Sequence, residues 1–325
     1  MSLLDFDMSQ SSGLQNLPAG LDEAGRGPVA GPVTAAAVIF PRDVQPNPLI
    51  RDSKTLSEKQ RSTAFQWILE HALSHSIRSL GVRRIEEMNI LAASLQAMKE
   101  AAEELQPRPQ LCLIDGNRLP PGMDSAKAVV KGDAASFSIA AASILAKVHR
   151  DRLMARWAQI FPGYGLEKHK GYPTVAHVQA IHELLPLPIH RSTFTPLKEF
   201  KFPRRPDPLL LGRWGENWAI HHLISRGWRF LERNTVLGRQ GELDIVMAEG
   251  ELLHVVEVKT SGPTDRMDPL EWINEKKIHR LQNLAEHWAR LRSLQHRPLQ
   301  IDALTVRCTD WRRPQIDFYP DISTI

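Results

Sequence analysis

Apolar residues along the chain fall into short blocks separated by glycine, proline and charged residues, and the period changes from block to block. Val29 to Phe40 is an almost unbroken apolar run and predicts a strand, with Leu21-Asp22-Glu23-Ala24 just before it. Ile77–Val82 and Leu111–Ile114 predict two more, the second ending in Asp115-Gly116. Val129-Val130 repeats that ending with Lys131-Gly132-Asp133. Elsewhere the period is helical. Ile85 to Leu105 carries Met88, Leu91, Leu95 and Met98 at helical spacing, and a helix running through Trp67 to Leu73 can be capped by Thr55 or Ser57. Ser136–Asp151 is alanine-rich and helix-forming, and its small residues allow a close approach to a sheet. A further helix is expected over Thr174–Leu184, while the polar N-terminus reads as frayed.

Proline density from Phe200 to Pro208 forbids regular structure and reads as a linker. Beyond it, a helix begins at Leu211 and ends near Arg226-Gly227, and Trp228–Asn234 reads as a strand. Gly241–Ala248 and Leu252–Lys259 form a hairpin about Glu249-Gly250. The mixture predicts an α/β protein with domains over 14–200 and 209–325, joined by a proline-rich 201–208 segment.

Composition changes this picture little. The 325 residues exceed the usual size of one domain, and the net charge of +4 gives no global field that argues for nucleic acid. A local patch would have to do so. Cys112 and Cys308 lie far apart and form no C-x-x-C, so neither a disulfide framework nor a thiolate zinc site is expected. No apolar run is long enough to span a bilayer and the N-terminus lacks a leader pattern, so a cytoplasmic location is expected.

The candidate chemistry lies in acids at the ends of apolar runs. Adjacent strand residues point to opposite faces, so Asp22 and Glu23 can share one metal only if the backbone bends or one of them ligates edge-on. Gly25 and Gly27, either side of Arg26, permit that bend and a close ligand approach. Asp115 at a strand end could ligate, although alone it reads as a turn former. Asp133 falls at the start of the alanine-rich helix, and Lys147 and Asp151 read as a surface ion pair or as part of a site. Lys54 could reach a phosphate, though a lone lysine is more often solvated. Tyr164–Pro173 gathers Lys168, His169, Lys170 and Tyr172 about two glycines, either a basic surface loop or a phosphate-contacting loop with a stacking ring.

The acids, with Gly25-Arg26-Gly27, Asp52-Ser53-Lys54, Ile114-Asp115-Gly116, Lys131-Gly132-Asp133 and Lys170-Gly171-Tyr172, closely resemble bacterial ribonuclease HII over about Gly20 to Pro196. The resemblance implies a ribonuclease H-like fold and cleavage of the RNA strand in RNA–DNA hybrids, including incision at ribonucleotides embedded in duplex DNA. It implies Asp22, Glu23, Asp115 and Asp133 as ligands to Mg2+ or Mn2+. It further implies that Gly25-Arg26-Gly27 reads the 2′-hydroxyl and that Tyr172 stacks on the following deoxyribose. The demand of four crowded carboxylates for a hard divalent cation agrees with this.

In the second half, alternation puts Glu257 and Lys259 on one strand face, with Asp244 on the partner strand. A bare E-x-K more often lies on a solvated face. With Gly212-Arg213-Trp214-Gly215-Glu216 and Gly241-Glu242-Leu243-Asp244, however, the segment resembles the YraN family over about Leu210 to Tyr319, and more broadly the restriction-endonuclease-like PD-(D/E)xK nucleases. That implies a smaller restriction-endonuclease-like α/β domain with Glu216, Asp244, Glu257 and Lys259 as its site, acting on branched DNA or serving only to bind it. Thr260-Ser261 departs from the relatives' usual arginine after the threonine.

Overall fold

The computed structural model describes residues 2–238, 241–262 and 274–324. It divides into two compact units, Met1–His177 with Ile189–Lys198, and Val178–Pro188 with Glu199–Ile325.

The first unit is a mixed sheet covered on both faces. Its strands are β1 (Ala19–Ala24), β2 (Val33–Ile39), β3 (Ser74–Leu80), β4 (Cys112–Asp115) and β5 (Ala126–Val129), in the order β3-β2-β1-β4-β5. β1, β2 and β3 pair antiparallel, whereas β4 and β5 run parallel to β1. β2 is apolar throughout because both of its faces are buried. Ala36 and Val38 enter one core with helix α2 (Glu58–His71), while Ala35, Ala37 and Ile39 enter the other. Ser57 caps α2 in a reciprocal capping box with Gln60.

Two expectations fail for physical reasons. The helical period from Ile85 to Leu105 is split into α3 (Val82–Met88) and α4 (Ile90–Glu103). Asn89 breaks it at φ 69°, and its Oδ1 accepts the orphan N–H groups of Leu91 and Ala92. The N-terminus does not fray but forms α1 (Leu3–Gln10), upstream of residue 14. Asp7 on α1 is fully buried and accepts from Ser136 Oγ at 2.6 Å and from Ser138 N at 2.7 Å. It thereby supplies a second cap to α5 (Phe137–Ile160), beside the local cap of Ser136.

α5 lies directly on β1, as its small residues predict. A Cβ on Gly20 would come within 2.0 Å of the Ser138 carbonyl carbon, so only glycine admits the helix there. α6 (Leu166–His169) follows, and the division between the units falls within α7 (Val175–Leu184), after His177.

In the second unit, α8 (Pro208–Ser225) starts on Asp207, which caps it, with proline in the first turn. Its sheet has the order β10-β9-β8-β7-β6, from β6 (Arg229–Val236), β7 (Glu242–Glu249), β8 (Leu252–Ser261), β9 (Leu299–Arg307) and β10 (Gln315–Tyr319). β7 and β8 form the expected hairpin, and β9 pairs parallel to β8. α9 (Glu275–Leu291) covers the core with Ile278, Leu281, Leu284, Ala285 and Trp288. α8 meets β8 at Gly215, where a Cβ would lie 1.8 Å from Thr260 Oγ1.

Candidate active site and a second acidic site

Strand alternation separates Asp22 from Glu23. Asp22 shares the face of Gly20, under α5 and close to Ser143, and is only 6% exposed. Glu23 points to the other face and lines a cavity of about 230 Å³ with Arg26, Asp115 and residues of α4. Asp115 joins the two faces. Leu21 pairs with Ile114 across the parallel strands, so the next residue on each is Asp22 and Asp115. Asp115 Oδ1 accepts from Gly132 N at 2.6 Å, which holds the turn bearing Asp133 against the strand end.

The electrostatics identify the same hub. Burial pushes the Asp22 carboxyl well above the ordinary range, and Glu23 and Asp115 push it further. Burial also raises Glu23; Arg26, 3.5 Å away, opposes this, and Asp115 reinforces it. Asp133 is raised by burial and by Asp115, against the pull of Lys54 at 3.8 Å. Asp115 is therefore the neighbour that the other three acids share. Among the described residues, no three or more His, Cys, Asp or Glu side chains are already arranged to hold a metal ion. The donors are nonetheless all carboxylate oxygens, and their mutual repulsion is what a hard divalent cation relieves. By donor chemistry the set fits magnesium or manganese.

The Gly25-Arg26-Gly27 turn is held by Arg191 and the residues after it by Arg150, two arginines whose importance the sequence reading missed. Arg191 donates from Nη2 to Gly25 O, from Nη1 to Arg26 O and Pro28 O, and from Nε to Gly31 O, at 2.6–3.0 Å. Arg150 donates to Ala30 O, Pro32 O and Lys170 O at 2.9–3.0 Å. Both guanidinium groups are buried among carbonyls, and burial lowers Arg150 to about 10 and Arg191 to about 9. The O and the H of a trans peptide point in opposite directions. With the Gly25 and Arg26 carbonyls turned inward, the N–H groups of Arg26 and Gly27 therefore face away from the arginines. Gly25, at φ +99°, is where the chain bends, and a Cβ there would strike Arg150. One signal was available for Arg150: it continues the buried Ile139, Ser143, Ala146 stripe of α5. Arg191 had none.

Tyr172 is half-exposed beside this turn, its ring 3.4 Å from where a Gly27 Cβ would stand. The loop is tied down by Val29 N donating to Gly171 O at 2.9 Å. Beneath it His177 is fully buried, and burial lowers its imidazole to about 4. A neutral His177 facing a carbonyl must donate from Nδ1, here to Tyr172 O at 2.9 Å, so Nε2 accepts from His190 Nε2 at 3.0 Å. Lys147 and Asp151 form an i,i+4 ion pair at 2.8 Å. Lys54 is largely solvent-exposed but reaches Asp133.

In the second unit, Ile245 opposes Val256, which sets Asp244 against Glu257 one step further along the hairpin. Asp244 Oδ2 accepts from Val258 N at 2.9 Å. Burial, then Glu257, raise Asp244 to about 7. Glu257 Oε1 accepts from Lys259 at 2.6 Å and pairs with Lys277 of α9 at 3.0 Å. Glu257 Oε2 is buried and has no hydrogen-bond partner among the described residues, the kind of orphaned oxygen a cation would satisfy. Glu216 is near enough to add to the Asp244 shift, but its Oε2 is held by Arg233 at 2.7 Å and Asn234 at 3.0 Å. Lys277 and Arg233, brought in by tertiary packing, are the members that alternation along the hairpin could not find.

Residues 19–197 match the family model described as Ribonuclease HII, and residues 215–306 match Uncharacterised protein family UPF0102, the YraN segment. Ribonuclease HII of Marinomonas sp. (strain MWYL1) is 53% identical over 185 residues, covering 57% of this chain and 92% of the relative. Ribonuclease HII of Endomicrobium trichonymphae is 49% identical over 182 residues, covering 56% and 86%. Among solved structures, the ribonuclease H2 of Pyrococcus horikoshii OT3 is 26% identical, with a TM-score of 0.48 over 56% of this chain and 95% of that one. The order of motifs, the acid cluster at the ends of β1 and β4 and a family match over more than half its length agree: the chain belongs to the ribonuclease HII family and is a type HII ribonuclease H that acts on RNA–DNA substrates, with a UPF0102 segment after it.

Proposed function

We propose that the first unit incises one strand of duplex DNA at an embedded ribonucleotide, as well as the RNA strand of hybrids. The observation that carries this is the acid cluster about Asp115 lying beside a glycine turn whose Gly25 and Arg26 carbonyls are turned onto Arg191. Asp22, Glu23, Asp115 and Asp133 would hold Mg2+ or Mn2+. These ions supply an activated water and stabilisation of the leaving oxygen. In the reaction, the water oxygen bonds to phosphorus, the bond to the 3′-oxygen breaks, and a proton passes to that oxygen, leaving a 5′-phosphomonoester. The N–H groups of Arg26 and Gly27, turned away from Arg191, would donate to a ribose 2′-hydroxyl, the feature that separates RNA from DNA. Lys54 reaches for a phosphate and Tyr172 stacks on the next sugar.

For the second unit the reading is a metal-dependent nuclease site of Asp244, Glu257 and Lys259, with Glu216 beside it. The orphaned Glu257 Oε2 and the raised Asp244 favour it over a module that only binds DNA. One variant of the full chain tests both units. Asp22→Asn should lower incision at a ribonucleotide by at least about a thousandfold, since losing an essential ligand costs several kcal/mol of barrier. The same variant should still cut some ribonucleotide-free branched DNA in Mg2+ or Mn2+, and adding Lys259→Ala should remove that residual cutting. Near-wild-type incision by Asp22→Asn would refute the first assignment. Inactivity on a full panel of linear and branched DNAs, with binding retained, would leave the second unit as a tether.

A further inference from the structure

Helix α9 has two unlike faces. Ile278, Leu281, Leu284, Ala285, Trp288 and Ala289 are buried in the core. On the other side Lys276, His279, Arg280, Asn283, His287 and Arg290 line an open groove of about 740 Å³. Positions 276, 280, 283, 287 and 290 follow the helical period, so they form one straight row. At 1.5 Å per residue that row is about 21 Å long. No carboxylate belongs to the groove lining among the described residues. Two acids of the helix neighbour the row in sequence, Glu275 before Lys276 and Glu286 before His287; Glu286 is 3.8 Å from Arg290, with both side chains more than half exposed, so that pair is weak.

The row leads to the second acidic site. Lys277, next to Lys276, lies 3.0 Å from Glu257 Oε1. A polyanion lying along the groove would therefore run from Arg290 towards Asp244 and Glu257. The chemistry of the lining selects among polyanions. Among the described residues the lining has no Phe, Tyr or Trp on which unpaired bases could stack, and its one aliphatic member, Leu284, is buried in the core. Lys276, Arg280 and Arg290, with nothing beside them among the described residues to read bases, suit the phosphates of a duplex, contacted without sequence preference.

We propose that the α9 groove binds the phosphate backbone of duplex DNA and directs it towards the Asp244–Glu257 site. This rests on the reading of the second unit as one that acts on or holds DNA, but not on its cutting anything.

The test is fluorescence anisotropy of the full chain with a labelled all-deoxy duplex, titrated across a range of salt. Lys276→Ala/Arg290→Ala should weaken binding about tenfold near physiological ionic strength and lower the log–log salt slope by about two, one for each cation removed. Lys276→Arg/Arg290→Lys, which keeps both charges, should retain the wild-type affinity and slope. Unchanged affinity and slope in the alanine variant, with an unaltered thermal unfolding midpoint, would overturn the proposal. So would a larger loss for single-stranded DNA or for polyglutamate than for the duplex. Cleavage is not the readout, so a second unit that cuts nothing would refute the nuclease reading and leave this one standing.

Discussion

Both units of the chain set buried acids on neighbouring strands, yet they balance the charge in opposite ways. In the first, the buried cations do not touch the acids. Arg150 and Arg191 spend their hydrogen bonds on the carbonyls of residues 25–32 and 170, while Asp22, Glu23, Asp115 and Asp133 repel one another. In the second, the cations sit on the acids: Lys259 and Lys277 on Glu257, Arg233 on Glu216. Only Asp244 and one oxygen of Glu257 are left wanting. The first arrangement is a frame of arginine-held carbonyls beside acids that no buried cation neutralises. The second is already largely neutral and needs less from an ion. A buried charge left without compensation is expensive, so the difference should appear in stability as well as in activity.

The largest break in this contrast should come from Arg191→Met. Four carbonyl bonds disappear at once, so the variant should lose roughly 3–5 kcal/mol of stability. The freed Gly25–Gly27 turn should also lower kcat for ribonucleotide incision about a hundredfold, the scale of a misplaced positioning group. Arg191→Lys should recover part of both. Denaturant unfolding and single-turnover incision measure the two effects. A destabilised protein with wild-type kcat would reduce Arg191 to a packing residue with no part in positioning.

Lys277→Met makes the second site resemble the first. Glu257 keeps Lys259 but loses its second cation, which should cost ~1–2 kcal/mol, a modest figure because Lys277 is about one-third exposed. Mg2+ should then stabilise the variant more than it stabilises the wild type, because the ion replaces the missing charge. Equal thermal shifts with Mg2+ in the two proteins would mean that no cation reaches Glu257.

What the sequence made legible, and what it did not, follows the same divide between local and tertiary signals. Asp115 and Asp133 could be placed because each closes a short apolar run before a glycine, and the opposition of Asp244 and Glu257 follows from hairpin alternation alone. The approach of α5 to β1 was legible in its alanines. α1 was not, since its hold on the fold is Asp7 reaching residues more than a hundred positions away, and no local pattern encodes that. The break at Asn89 was hidden because the apolar period continues through it. Arg191 looks in sequence like any basic residue in a proline-rich segment, and its burial is created by carbonyls from residues 25–31. Lys277 and Arg233 likewise meet their acids only after the chain has packed.

The smallest effect lies in pH, and it tests whether Asp244 is the acid left wanting. Its carboxyl is raised to about 7, by burial first and then by Glu257. An acid whose folded pKa exceeds its unfolded value holds a proton in the folded state that the unfolded chain has released. Between the two values the folded protein binds more protons, so stability falls as pH rises, from near 4 up to about 7. Below that window a protonated Asp244 and an amide are nearly equivalent. Without metal, the stability of Asp244→Asn relative to the wild type should therefore grow from near zero at acid pH to about 1 kcal/mol above pH 7, less than the whole shift implies because Glu257 shares the repulsion. Saturating Mg2+ should reverse the sign, since the ion binds the ionised wild type and not the amide. Urea titrations from pH 4 to 8, with and without Mg2+, measure both limbs. A flat difference across that range would mean that Asp244 titrates as an ordinary carboxylate, and the contrast between the two sites would then rest on Glu257 alone.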